Sequence, residues 1–331
     1  MLRHRSKDFE VKVFQHPNIS SICSCSPRAC YAQNNGRRTT FLVYQHATLA
    51  SEIHREPVAA RRFWLWFNLL SLDAPTVAVL WQAFLARCLH ADVRWPAFIA
   101  LGASVWLIYV ADRLLDSLQT EDAPITARHR FYRIHWWTAL RVCAAVLVGL
   151  AVACCYLNAS VLHNGIIMAA LVALYFLGVH AAPRHLRRLW PKELAVGVLF
   201  TLGTCLTTWT KLGPNRYTVF PPAILFAALC SLNCVAIEFW EWKRLRGSSA
   251  PPHLWTVWIG RRLSGLALIL TILSCLLLGL PALRPLFAPA TLSALALWWL
   301  DQNSGRLSLD ALRVLADVSL LTPLLLLGFG R

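Results

Sequence analysis

The amino-acid sequence predicts an all-α, polytopic membrane protein of about nine transmembrane helices, and three observations carry that prediction. The 331 residues are 57% apolar and only 15% charged, with a mean hydropathy of +0.51, outside the range of ordinary soluble domains. From Phe63 onward, apolar runs of membrane-spanning length recur between short polar gaps. Basic residues gather in alternate gaps, as they do where they set orientation. The formal net charge of +16 is therefore read as topology and contact with anionic lipid headgroups, not as nucleic-acid binding. No nucleic-acid motif accompanies it, and the Gly-rich loops and nucleophile motifs of soluble nucleotide-binding or hydrolytic enzymes are missing from the sequence.

Taken in order, residues 1–62 form a polar tail of mixed charge that holds Cys23, Cys25 and Cys30. The tail lacks the apolar core of a secretory signal and the paired Cys-x-x-Cys spacing of a structural zinc site. It is read as disordered, or as an extension from a misplaced start. The spans are expected near 63–88, 95–115, 136–157, 160–182, 193–210, 217–240, 260–280, 285–301 and 308–329. Arg61 and Arg62 precede the first. Arg128, Arg130 and Arg133 follow the second, Arg184 to Lys192 the fourth, and Lys243 to Arg262 the sixth, while the intervening gaps hold far fewer bases. That asymmetry places the N-terminus in the cytoplasm and the C-terminus outside. The cysteines inside apolar runs, such as Cys205 and Cys230, read as small packing residues.

The candidate chemistry lies at the expected cytoplasmic ends. The second span closes on VWLIYVADRLLD, which puts Asp112 and Asp116 one turn apart on one helix face. Two carboxylates at that spacing suit a magnesium ion that keeps the rest of its shell for water and phosphate oxygens. A solvated helix end with Arg113 snorkelling accounts for the same residues without chemistry. The sixth span ends in Asn233, Glu238 and Glu241 on the same expected side. Glu241 has an ordinary alternative as a partner for Lys243 or Arg244. Arg128 and Arg130 offer forked donors for phosphate oxygens, and Lys192 offers a point charge at a helix start. Within the spans, Asp73 stands before Ala74-Pro75, where it can cap a helical turn, and Asp317 lies one turn from Arg313. Both are read as structural, although ionisable groups inside spans are functional candidates by default.

The Asp-Arg-x-x-Asp at the end of the second span, the Thr126-Ala127-Arg128-His129-Arg130 loop after it and the acidic end of the sixth span resemble the UbiA superfamily of intramembrane aromatic prenyltransferases. The resemblance covers residues 63–331. It implies a helical bundle around a central lipid-open cavity, in which two aspartate-rich motifs hold Mg2+ and the metal grips an isoprenyl diphosphate. It further implies transfer of the isoprenyl group, an alkyl group other than methyl, to an aromatic or other lipophilic acceptor. By position, Asp112 and Asp116 match the last two acids of the first motif and Arg113 its usual Arg. Ile108 and Tyr109 stand where the family carries Asn-Asp, and the second motif is replaced by Asn233, Glu238 and Glu241 at altered spacing. On this reading Asp112, Asp116, Glu238 and Glu241 are the metal ligands, and Arg113, Arg128, Arg130, Lys192 and Asn233 hold the diphosphate. Tyr109 and Trp240 would face the developing carbocation. The competing reading is a non-catalytic UbiA-like protein or a small-molecule transporter, although the matched pair of broken helices typical of transporters is not evident.

Overall fold

The computed structural model describes residues 67–119, 127–181, 191–244, 252–280 and 284–327. The chain divides into two units, Met1–Ala59 and Ala60–Arg331, and every described residue belongs to the second. The N-terminal tail with its three cysteines lies outside the described residues.

Every regular element among the described residues is helical: α1 Asp73–Cys88, α2 Trp95–Gln119, α3 Ala127–Ile134, α4 Trp136–Cys155, α5 Ala159–Phe176, α6 Lys192–Lys211, α7 Phe220–Arg244, α8 Leu254–Gly260, α9 Leu263–Leu277, α10 Arg284–Gln302, α11 Leu309–Ser319 and α12 Pro323–Leu327. A π-helical turn, Leu177–Ala181, extends α5, and a 3-10 turn, Gly213–Val219, leads into α7. Among the described residues, five stretches are long and apolar enough to cross a membrane: Trp95–Leu115, Trp136–Cys155, Ala159–His180, Lys192–Lys211 and Gly213–Arg244. A sixth is formed if α8 and α9, bent by 67°, count as one.

The remaining predicted spans are either broken or too polar to join these, for physical reasons. The first loses its opening to a turn in which Ser71 takes φ 58°, so α1 has only 16 residues. That is about 24 Å, short of the roughly 30 Å of a bilayer core. At the start of α1, Pro75 occupies a position where its missing N–H is not needed, and Asp73 Oδ1 accepts the Ala74 N–H at 3.0 Å. The last span is divided into α11 and α12 at Pro323, which cannot donate the bond that would continue the helix. Helix α10 carries Arg284 at its start and Asp301 near its end, which lowers its apolar character.

Side chains α1, α6, α7 and α10 contribute to one core, in which Trp81 stacks on Phe226 with ring centroids 4.1 Å apart and Phe84, Leu85, Leu229 and Phe287 fill in around them. The Trp81 indole N–H donates to the Leu320 carbonyl at 2.8 Å, tying α1 to the turn after α11. A second core gathers Trp240, Leu263, Leu297, Leu300 and Leu312 from α7, α9, α10 and α11. Helices α4 and α5 are different. Leu147, Val148, Val152, Ile166 and Leu174 are all more than half exposed, an apolar surface that a bilayer would cover.

Helices α6 and α7 approach so closely at Gly197 that a Cβ there would stand 2.6 Å from the Ser231 backbone nitrogen. Gly197→Ala is therefore expected to cost about 1–3 kcal/mol in equilibrium unfolding of the detergent-solubilised protein. Gly203→Ala, in the same helix with nothing within 4 Å of the added carbon, should be neutral or slightly stabilising because Ala is the better helix former.

Candidate functional site

The polar ends of α2, α5, α6, α7 and α11 carry three sets of side-chain pairings. Asp112 of α2 stands 3.4 Å from His180 Nε2, which the π-helical turn after α5 presents and which stacks on Phe176 at 5.5 Å. Lys192, the first residue of α6, pairs with Glu238 of α7 at 3.4 Å. One turn further along α7, Glu241 pairs with Arg313 of α11, whose Nη1 also lies 3.4 Å from Asp310. The Arg313 side chain is 7% exposed and the Glu241 side chain 23%, so this pair is shielded from solvent screening. The Lys192–Glu238 pair, 48% and 37% exposed, is worth about 0–1 kcal/mol at most.

About one helical turn inside this belt lies a second polar layer. Asn68 Nδ2 donates to Asp73 Oδ2 at 2.6 Å and to Asp317 Oδ2 at 3.3 Å, so one amide holds two carboxylates from opposite ends of the described chain. Asn233 of α7 donates to Asp317 Oδ1 at 3.4 Å. Arg113 turns inward instead of snorkelling: it is buried, and its Nη1 donates to the Asn68 carbonyl at 2.9 Å. Ser71, wholly buried with its backbone in the left-handed region, meets the Tyr132 hydroxyl at 2.9 Å. Two small cavities flank Asp317. The first, about 30 Å³, is walled by Tyr109, Gly197, Phe200, Asn233 and Asp317. The second, about 50 Å³, is walled by Asn68, Asp73, Val314 and Asp317.

The sequence-predicted residues thus separate into two groups. Asp112, Lys192, Glu238 and Glu241 belong to the belt, and Tyr109 and Asn233 to the inner cavity. The side chains of Asp116, Arg128 and Arg130 lie outside the described residues. Trp240 is a core residue, 2% exposed, whose indole N–H donates to Asp301 at 3.0 Å. It faces α10 and lines neither cavity. Glu241 takes Arg313 in place of the expected Lys243 or Arg244, and Arg313 turns to Glu241 and Asp310 while Asp317 accepts from the two asparagines. Among the described residues, no three His, Cys, Asp or Glu side chains converge closely enough to hold a metal ion. The belt carboxylates Asp112, Glu238 and Glu241 meet His180, Lys192 and Arg313.

Four residues of the assembly, Asn68, His180, Arg313 and Asp317, were not assigned to a site by sequence. The available signal was topological for His180, which falls at the end of the fourth predicted span, on the side already expected to hold the acids. For Asn68 there was none, because its role depends on two partners, one of them 249 positions away. No family model matches the chain, and no curated protein or solved structure matches it either.

Arg313→Met removes the base from a largely buried pair and is expected to destabilise the protein by about 3–5 kcal/mol. Combining it with Glu241→Gln should recover part of that loss, because the stranded charge is then removed as well. Denaturant titration of the two single variants and the double variant measures the coupling.

Proposed function

We propose that the protein is a multi-pass membrane prenyltransferase that moves an isoprenyl group from its diphosphate to an aromatic or other lipophilic acceptor. The observation that supports this reading is the belt of paired acids and bases standing one turn above a cavity walled by Tyr109. Lys192 offers a half-exposed cationic side chain to a diphosphate, and Tyr109 offers an aromatic ring one turn before Asp112 on α2. The UbiA-like pattern of Asp112, Arg113 and Asp116 supports it from the sequence, as does the expected nine-span bundle with a cytoplasmic N-terminus and an external C-terminus. In that bundle α10 and the short or broken helices α1, α8–α9 and α11–α12 complete the crossings.

On this reading Lys192 and the bases after α2, Arg128 and Arg130, receive the diphosphate. Asp112 and Asp116 would hold a magnesium ion, which would supply positive charge to offset that of the departing diphosphate. The bond between the allylic carbon and the diphosphate oxygen breaks, and the electron pair leaves with the diphosphate. The acceptor's nucleophilic atom bonds to that carbon and gives up a proton. Tyr109 faces the cationic carbon, where the ring quadrupole favours positive charge. The alternative of a non-catalytic relative or a transporter draws on the pairing of the belt acids, which leaves them already neutralised.

Binding of an isoprenyl diphosphate to the purified protein, with and without magnesium, separates these readings. Magnesium-dependent binding weakened at least tenfold by Asp112→Asn plus Asp116→Asn is expected for the transferase. Equal binding to both proteins, or binding to neither, would sink the diphosphate assignment and leave the acids as helix-end charges.

A further inference from the structure

We propose that the inner cavity between α1, α2, α6, α7 and α11 binds one hard monovalent cation of sodium size, held by the Asn233 side-chain oxygen and the Asp317 carboxylate. This site is separate from the belt and involves neither diphosphate nor magnesium.

Asn233 is 4% exposed and lines the cavity beside Asp317 and Tyr109. Its Nδ2 is committed to Asp317, and its Oδ1 is buried without a donor. Turning the amide over does not relieve this, because the oxygen would then face a carboxylate oxygen. A buried amide oxygen left without a partner is costly, and a cation seated between it and the carboxylate gives that oxygen one.

The ligand chemistry selects the class of ion. Carbonyl-type and carboxylate oxygens suit hard cations. The absence of three convergent acids, thiols or imidazoles among the described residues does not favour a divalent or transition metal. The volume agrees, since about 30 Å³ holds one small ion with a water or two. Small residues keep the space open: Ala74 and Gly197 line it, and the closeness of Ser231 to Gly197 leaves no room there for a larger side chain. Asp73 acts at one remove, through the Asn68 amide that also holds Asp317 Oδ2. It is a positioning residue for the ligand carboxylate. Among the described residues, the charged groups near the assembly include Asp73, Arg113 through the Asn68 backbone carbonyl, Arg313, one turn before Asp317 on α11, and Lys192, Glu193 and Glu238, whose charges reach the cavity-lining Cys234.

The test is binding of radiolabelled sodium to the full-length protein in detergent, with choline chloride holding ionic strength constant and with no diphosphate or magnesium present. Saturable binding in the millimolar range is expected, weakened at least tenfold in Asn233→Leu and in the near-isosteric Asp317→Asn, with both variants checked for folding by circular dichroism and a monodisperse elution. Asp73→Asn should weaken binding less than Asp317→Asn. Absence of saturable binding to the wild-type protein overturns the proposal and leaves the cavity to water, whatever the variants do. Binding unchanged in a folded Asn233→Leu or Asp317→Asn protein overturns it equally.

Discussion

The Asn68 side chain, donating from one amide nitrogen to Asp73 and to Asp317, is the contact on which the polar interior depends. A carboxylate inside an apolar bundle is tolerable only where donors surround it. Here one short side chain serves two carboxylates, and the backbone carbonyl of the same residue accepts from Arg113 of α2. The start of α1, the last turns of α2 and the end of α11 are thereby tied together. The same constraint accounts for the strained turn at Ser71, whose positive φ places its hydroxyl against Tyr132.

Around this knot the bundle is asymmetric. Helices α1, α6, α7 and α10 bury aromatic and aliphatic residues against one another, with Trp81 on Phe226 at the centre. Helices α4 and α5 turn apolar side chains outward along much of their length. Water opposes such a surface and lipid does not, so these two helices find their packing partner in the bilayer. The indole N–H groups of Trp81 and Trp240 each find an acceptor within the protein. These are internal tryptophans, distinct in role from exposed ones such as Trp95 and Trp137.

The belt of acids and bases shows how pairing decides chemistry. Arg313, buried on α11, needs a carboxylate because an unpaired guanidinium in that position would be expensive. Glu241 supplies it, and its capacity to act as a metal ligand is reduced to that extent. Lys192 and Glu238 are more exposed and bind each other weakly, so they are the pair most readily exchanged for an incoming ligand. The π-helical turn that carries His180 is a local departure of the kind often found at functional positions, and it delivers the imidazole to Asp112.

Hydropathy and the spacing of charges were enough to predict helical class, membrane character and the positions of α2, α4, α5, α6 and α7, because a long apolar run has one economical conformation in lipid. The neighbourhood of Lys192 and Glu238 was legible too, because both stand at helix ends bordering polar gaps. Tertiary structure alone decided the pairings. Glu241 chose Arg313 over its own neighbours in sequence, Trp240 entered the core, and Asp317 and Asn233 met across a cavity. A local pattern states which face of a helix a residue occupies, whereas its partner is set by which other helix packs against that face, and that depends on the closure of the whole bundle.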